Sequence, residues 1–235
     1  ITDKKWLESK AIKIPLMEKP AHVKGVFQFV SPSDVRLIGS CALDTAVKPN
    51  VVADIVLEIP KESFNPKDYL NQRYTRKRAL YLSSIASHLR KKKVIEDLKF
   101  SYYMGNPHKP ILLVRMKGHD SKSVQFCLHA VPEKDTFKLS RFHVSKNNVR
   151  PKWFFGKEEV DAENEDFDSA SLPATPYYNS SILHDMCMSA NDHFIGKMLK
   201  GSEGLSHGIM LMKVWLRQRG LLQGLGTFTS YLLTA

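Results

Sequence analysis

The chain has 235 residues, 43% of them hydrophobic and 25% charged, with a formal net charge of +11. These proportions are typical of a globular protein with a sizeable core. No apolar run reaches the about 18 residues that cross a membrane, so we expect no membrane partner. The first residue is not Met, and the last residues form an apolar stretch, which indicates a piece of a longer polypeptide.

The positive charge is distributed unevenly. Residues 158–168 carry seven acids and no base, so the remainder has a net charge of +18, which is +11 plus the seven removed charges. A body this basic points toward a polyanion, most simply nucleic acid. General solvation by lysine side chains is the alternative.

The potential metal-binding side chains are scattered along the chain. The three cysteines, Cys41, Cys127 and Cys187, are far apart and form no CxxC pair, and the nine histidines form no HxxxH or HExxH motif. The spacing therefore predicts neither a disulfide framework nor a metal site. Few unpaired cysteines are typical of a reducing intracellular compartment.

Apolar patterning predicts a mixed sheet in the first 150 residues. A long helix is predicted from Lys67 to Lys92. Strands are predicted at 25–29, Val35–Ile38, Val51–Ile59, Leu98–Met104, Pro110–Met116 and Val124–Ala130. The order of strands and helix favours an α/β or α+β fold for residues 21–150.

The second part of the chain is predicted to be helical. We divide the chain into a sheet domain at 1–157, an acidic flexible linker at 158–176 and a truncated helical domain at 177–235. Within the last part, helices are predicted at Asn179–Leu199, Gly204–Arg219 and Thr227–Leu233. Gly220 is expected to end the second of these helices, and Trp215 to lie in the helical core.

One short motif suggests nucleotide chemistry. Gly39 and Ser40 end an apolar run, and Asp54 lies in the strand that follows. In polymerase-type nucleotide transfer, a Gly-Ser turn approaches the triphosphate. Two acids at alternate positions of a strand then hold two Mg²⁺ ions. Here Val56 occupies the second of these positions.

Counting carboxylates predicts that this motif has lost its metal chemistry. Glu58 would lie about 13 Å along the strand from Asp54, too far to share an ion. The strand at 111–116, taken as the neighbour that supplies a third acid, contains none. A single carboxylate binds Mg²⁺ weakly, so we expect no catalysis, no metal and no cofactor. Asp54 would then pair with a nearby Lys or Arg.

Several longer segments resemble the Nrap (nucleolar protein 6) family. The most distinctive of them runs from Asp68 to Leu82. The others are Phe27–Phe29 with Pro32, Val35 and Ile38–Ser40, then Lys146–Arg150, Lys213–Arg219 and Gly226–Tyr231. Together these segments cover about residues 23–233, and their combination is more specific than the Gly-Ser motif alone.

This resemblance implies an α+β fold with a nucleotidyltransferase-like mixed sheet and flanking helices. An all-α domain of the poly(A) polymerase and oligoadenylate synthetase type is expected to follow. It also implies a nuclear, nucleolar protein of the small-subunit processome, which assembles on precursor ribosomal RNA. The implied protein partners are a UTP-C type subcomplex and casein kinase 2.

The resulting hypothesis is a non-catalytic RNA- and protein-binding scaffold, with a degenerate motif at Gly39, Ser40, Asp54 and Val56. The alternatives are an active RNA nucleotidyltransferase and a purely protein-binding module. The predicted RNA-binding residues are Arg73, Arg76, Lys77, Arg78, Lys91, Lys92 and Lys93. Arg73 and Arg78 have an alternative role, pairing with acids inside the fold. Lys91–Lys93 have another, as a solvated helix end favoured by the macrodipole.

Overall fold

The computed structural model describes residues 27–118, 124–150 and 173–221. The strands are β1 (Asp34–Ile38), β2 (Val51–Ile59), β3 (Ile95–Tyr102), β4 (Pro110–Met116) and β5 (Val124–Pro132). The helices are α1 (Gly39–Ala42), α2 (Arg73–Leu89), α3 (Pro176–Lys200) and α4 (Glu203–Gln218). The predicted strand at 25–29 is not a strand in its described part, whereas the other five strands and the helices have the predicted order.

The five strands form one mixed sheet in the order β1-β2-β5-β4-β3. Strands β2 and β5 are parallel, and the other neighbouring pairs are antiparallel. The chain crosses from β2 to the parallel strand β5 through α2 and the β3–β4 hairpin, as a parallel pair requires. The predicted α+β class with a mixed sheet is confirmed.

The sheet order corrects one expectation. The strand at 111–116 is predicted to be the neighbour of β2, but β5 lies between β2 and β4. The residue beside Asp54 on β5 is Cys127, and the residue beside Val56 is His129. Apolar runs identify strands but carry no information on which strands pair, so only the fold reveals these neighbours.

Helix α2 packs its apolar side on the sheet. Tyr81 and Leu82 are fully buried and contact Leu57, Leu112 and Ala130 in the main core. The helix starts at Arg73 rather than at Lys67, because Asn71 and Gln72 adopt left-handed φ angles of 55° and 61°. Left-handed residues do not continue a right-handed helix, and the apolar spacing could not reveal them.

Helix α3 packs against helix α2 and the loops beside the sheet. Tyr178 and Ile182 share a cluster of buried side chains with Tyr69, Tyr74 and Phe137. The two predicted domains therefore share a cluster of buried side chains, and the division into domains stays a prediction. The acidic residues 158–168 lie outside the described residues.

Helix α4 buries Ile209 and Leu216 but leaves two large side chains in solvent. Leu211 is 71% exposed and Trp215 is 46% exposed, so the prediction that Trp215 lies in the core is wrong. Gly220 follows the helix with φ of 68°, as expected of a glycine at a helix end. The predicted helix Thr227–Leu233 lies outside the described residues. Within the described ranges, no helix has the length and apolar content needed to cross a membrane.

Candidate functional site

The Gly-Ser motif lies at the end of β1, where the chain turns into α1. Gly39 has φ of 67°, which glycine adopts without strain. A Cβ atom added there would lie 3.4 Å from Oδ2 of Asp54, so a larger residue would crowd the β2 carboxylate. Gly39, Ser40 and Asp54 line the same cavity.

The second carboxylate position of the motif is part of the core. Val56 is completely buried and packs with Ile38, Val131 and Met188. Met188 belongs to α3, so this helix covers the face of β2 where a second metal ligand would stand. Glu58 lies further along β2 and pairs with Arg36 instead.

The acid of the motif pairs with a histidine and not with the expected Lys or Arg. Oδ1 of Asp54 lies 2.8 Å from Nε2 of His129 on β5. His129 is 1% exposed, and burial lowers its pKa despite the adjacent carboxylate. Cys127, two residues earlier, lies on the same face with its Sγ 3.2 Å from the same nitrogen. Burial raises the pKa of this thiol, with a further contribution from Asp54.

Helix α3 supplies a second carboxylate to the Gly-Ser turn. The backbone N–H of Gly39 donates to Oδ1 of Asp192 over 2.6 Å. Partial burial raises the pKa of Asp192, while the bond from Gly39 opposes that effect. The N–H group that would face a phosphate is thus already engaged by an anionic side chain of the same chain.

These groups line a cavity of about 370 Å³ between the sheet, α3 and α4. Lys213 and Arg217 of α4 form part of its wall. Nζ of Lys213 donates to the carbonyl oxygen of Thr45 over 2.9 Å, and Arg217 donates to that of Lys48 over 2.6 Å. Burial lowers the pKa of Lys213 to about 8. Both bases therefore hold the loop that follows α1.

Two of the predicted RNA-binding bases are engaged inside the protein. Arg78 is completely buried and forms an ion pair with Asp185 of α3, so the prediction that it contacts RNA is wrong. Pairing with an interior acid was its alternative role. Lys77 lies 2.6 Å from Oδ2 of Asp68 and donates to the carbonyl oxygen of Ser63, also over 2.6 Å. The helical periodicity placed both side chains on α2 but could not reveal that α3 and the 61–68 segment cover them.

The remaining predicted bases lie at opposite ends of α2. Arg73 is exposed at its first residue, Arg76 is half-buried, and Lys91–Lys93 are exposed beyond its end. A helix of 17 residues is about 25 Å long, so these two groups are separate surfaces. Lys91–Lys93 lie close in sequence to the exposed acids Glu96 and Asp97, which offset part of their charge.

Arg73 belongs to a concave surface that sequence reasoning missed. This surface, which we call the basic hollow, has a volume of about 770 Å³ and one acidic lining residue, Asp135. Its basic lining residues are Lys61, Lys67, Arg73, Lys138, Arg141 and Arg150. All six are exposed. They come from two stretches that lie far apart in the chain, 61–73 and 138–150, and no continuous charge run marks them.

Hydrogen bonds between distant segments shape the basic hollow. The backbone N–H of Asn71 donates to the carbonyl oxygen of Asn148 over 2.8 Å. The N–H of Arg150 donates to Oδ1 of Asn71 over 3.0 Å. Tyr178 of α3 accepts from the N–H of Gln72 and donates to the carbonyl oxygen of Tyr69. These hydrogen bonds therefore fix the positions of the two backbone segments that carry Arg73 and Arg150.

The sequence matches one known family over most of its length. The profile of Nrap protein domain 1 matches residues 1–201. The chain belongs to the Nrap family. This confirms the resemblance carried by the segments between Phe27 and Tyr231.

Relatives in this family are named Nucleolar protein 6. The protein of Xenopus laevis is 43% identical over 232 residues, which are 99% of this chain and 20% of the relative. The Homo sapiens protein is 39% identical over 234 residues, 100% of this chain and 20% of the relative. For Drosophila willistoni the identity is 36%, with 97% and 20% covered. This Nrap chain thus spans about a fifth of these relatives, whose name agrees with the predicted nucleolar localisation.

Of two features of this Nrap chain that sequence reasoning missed, one had a weak sequence signal and the other had none. Cys127 and His129 form a Cys-x-His pattern within a predicted strand, and alternate strand residues share one face. That pattern points to two donors side by side, but not to Asp54 opposite them. Asp192 lies 153 positions from Gly39, and no spacing rule connects them.

Proposed function

We propose that this chain is a non-catalytic RNA- and protein-binding module of a nucleolar protein that acts in small-subunit ribosome biogenesis. The observation that carries the proposal is the basic hollow, with six exposed bases and one acid. Clustered bases attract phosphate groups, and arginine forks bind them in a defined orientation. Walls held by hydrogen bonds reduce the entropy lost on binding.

The lack of catalysis is supported by the central cavity. Two-metal nucleotide transfer needs several carboxylates around two Mg²⁺ ions. In the described part of the chain, the strand positions beside Asp54 that would have to supply further carboxylates are occupied by Val56, Cys127 and His129. Asp192 also accepts the hydrogen bond of the backbone N–H group in the Gly-Ser turn. We infer that the fold descends from a nucleotidyltransferase and has lost the reaction.

The cellular context in this proposal comes from the family. The relatives are named as nucleolar proteins, so we place this chain in the nucleus and nucleolus. The expected RNA is precursor ribosomal RNA. The expected protein partners are other processome components, including a UTP-C type subcomplex and casein kinase 2.

The exposed apolar side of α4 supports the protein-binding part of the proposal. Leu211 and Trp215 are separated by one helical turn and therefore lie on the same face. Aromatic side chains at such positions are frequent anchors of protein interfaces. Photocrosslinking from position 211 in the full-length protein, compared with exposed Lys91, would identify proteins that contact this face. Equal crosslinking patterns at the two positions would contradict this part.

The RNA-binding part is tested by titrating labelled precursor ribosomal RNA fragments at several salt concentrations. Phosphate contacts make the affinity fall steeply with salt, and six such contacts predict a log-log slope of about −4 to −5. An affinity that does not change with salt would rule out the hollow as the binding surface. The non-catalytic part is tested by nucleotide incorporation into RNA with Mg²⁺ or Mn²⁺. Incorporation that Asp54→Ala abolishes would overturn it.

A further inference from the structure

Three donor atoms from different side chains converge at the floor of the central cavity. They are Oδ1 of Asp54, Sγ of Cys127 and Nε2 of His129, and all lie within 4.8 Å of one another. Asp54 and Cys127 are register partners on the parallel strands β2 and β5. Cys127 and His129 are alternate residues of one strand and so face the same side. The central ladder of the sheet holds all three positions.

We propose that Asp54, Cys127 and His129 bind a divalent ion of the zinc class. This proposal is independent of RNA binding by the basic hollow. It also differs from the lost Mg²⁺ chemistry, since it concerns one ion and another set of ligand atoms.

The separations between the donors suit such an ion. Nε2 of His129 lies 3.2 Å from Sγ of Cys127 and 2.8 Å from Oδ1 of Asp54. Around a tetrahedral zinc ion, with bonds of about 2.0–2.3 Å, ligand atoms lie about 3.3–3.8 Å apart. Outward shifts of about 0.5 Å per pair would therefore open the cluster enough for an ion. Rotations about side-chain bonds supply shifts of this size without moving the strands.

The type of donor selects the class of ion. A thiolate and an imidazole are preferred by Zn²⁺ and similar transition metals, whereas Mg²⁺ requires hard oxygen ligands in octahedral geometry. The charges also balance, because a thiolate and a carboxylate together neutralise a divalent ion. That balance matters here, since Cys127 is 3% exposed and His129 is 1% exposed. A buried charge is costly unless it is paired.

The cavity leaves a fourth position on the ion open. Cys127 and His129 are buried, while the side chain of Asp54 is 25% exposed and faces the cavity. Three protein ligands with one open position are typical of zinc sites that bind water or a small ligand. The nearby ammonium group of Lys213 is held by the carbonyl oxygen and hydroxyl group of Thr45, which directs it to the loop after α1.

The ion is detected with Co²⁺, whose bond to a thiolate produces near-ultraviolet absorption and whose visible bands report tetrahedral geometry. We expect these bands at one equivalent of Co²⁺ and their loss when Zn²⁺ is added. Cys127→Ser is expected to abolish the near-ultraviolet band and weaken Zn²⁺ binding at least tenfold. Cys187→Ser is the matched control, because Cys187 lies on α3 outside the donor set, and it should leave both unchanged.

The chain contains only three cysteines, which allows a complementary test if Cys127→Ser does not fold. The double variant Cys41→Ser/Cys187→Ser leaves Cys127 as the only thiol, so a persisting band assigns the ligand. Asp54→Asn should then weaken the binding with the fold intact, as followed by circular dichroism. Absence of the band in the wild-type protein, or a band that disappears in the double variant, would overturn the proposal. Either result would mean that the cluster is held by hydrogen bonds alone.

Discussion

Asp192 of α3 accepts a hydrogen bond of 2.6 Å from the backbone N–H of Gly39 at the end of β1. The bond joins the helical part of the chain to the turn of the Gly-Ser motif. It also places a carboxylate where the motif would otherwise present its N–H group to a phosphate. A helix that comes late in the sequence thereby contributes a side chain to the turn formed by an early strand.

The first prediction concerns the strength of this bond. Asp192→Ala is expected to lower the free energy of unfolding by about 1–2 kcal/mol, because it removes a charged acceptor from a half-buried donor. Asp192→Asn should cost less, since its amide oxygen accepts the same bond. Urea denaturation measures both values. Equal losses for the two variants would mean that the hydrogen bond contributes little.

The second prediction concerns the ion pair of Arg78 and Asp185. Burial favours protonation of Asp185, but Arg78 and Lys109 outweigh it and hold the pKa well below the usual range. A depressed carboxyl pKa stabilises the fold above the unfolded value of about 4, and this contribution is lost as the pH falls below it. Asp185→Asn should cost about 3–5 kcal/mol near pH 7, because Arg78 stays buried without its partner charge.

Urea denaturation at several pH values between 7 and 3 tests this prediction. The difference between the wild type and Asp185→Asn should shrink as the pH falls below 4. Asp135→Asn is the control: Asp135 is exposed, and asparagine tolerates its left-handed φ of 61°. A constant difference across the pH range would show that Asp185 is not the group that titrates.

The third prediction concerns Lys213, whose pKa burial lowers to about 8. The unfolded value is about 10.4, so between these pH values the unfolded chain binds more protons than the folded one. Stability from this group therefore rises with pH from about 8 to about 10.4. The cost of burying the ammonium group is present in full below pH 8. Lys213→Met should remove this rise, as measured by urea denaturation at pH 7.5 and pH 10. Parallel changes in the two proteins would contradict the prediction.

The fourth prediction locates the RNA-binding surface. The triple variant Arg73→Gln/Arg141→Gln/Arg150→Gln removes three charges from the basic hollow. It should weaken RNA binding and make the salt slope shallower by about 2–3. Changing Lys91, Lys92 and Lys93 to Gln removes the same charge from the other end of α2 and should have a smaller effect. Fluorescence anisotropy with one labelled RNA measures both. An equal or larger loss in the lysine variant would favour the surface at Lys91–Lys93 over the basic hollow.

Much of the fold was predictable from local patterns. The strands Val51–Ile59 and Pro110–Met116 begin and end where their apolar runs do. Alternation and helical spacing reflect which side of an element is buried, and this is a local property. The start of α2 was not predictable, because bonds to Asn148 and Tyr178, distant in sequence, hold Asn71 and Gln72 in place.

For the candidate sites, too, some features were predictable from the sequence and others depended on distant contacts. The sequence alone determined the order of strands and helices, the family resemblance and the absence of a second carboxylate at Val56, because each depends on residue identities in order along the chain. Only the tertiary structure decided that Arg78 is buried, that bases from two distant stretches form one hollow and that Cys127 and His129 face Asp54. The physical reason is that strand pairing and helix docking decide which distant residues meet. The local charge, the burial of a side chain and the geometry of a metal site all depend on which distant residues come into contact.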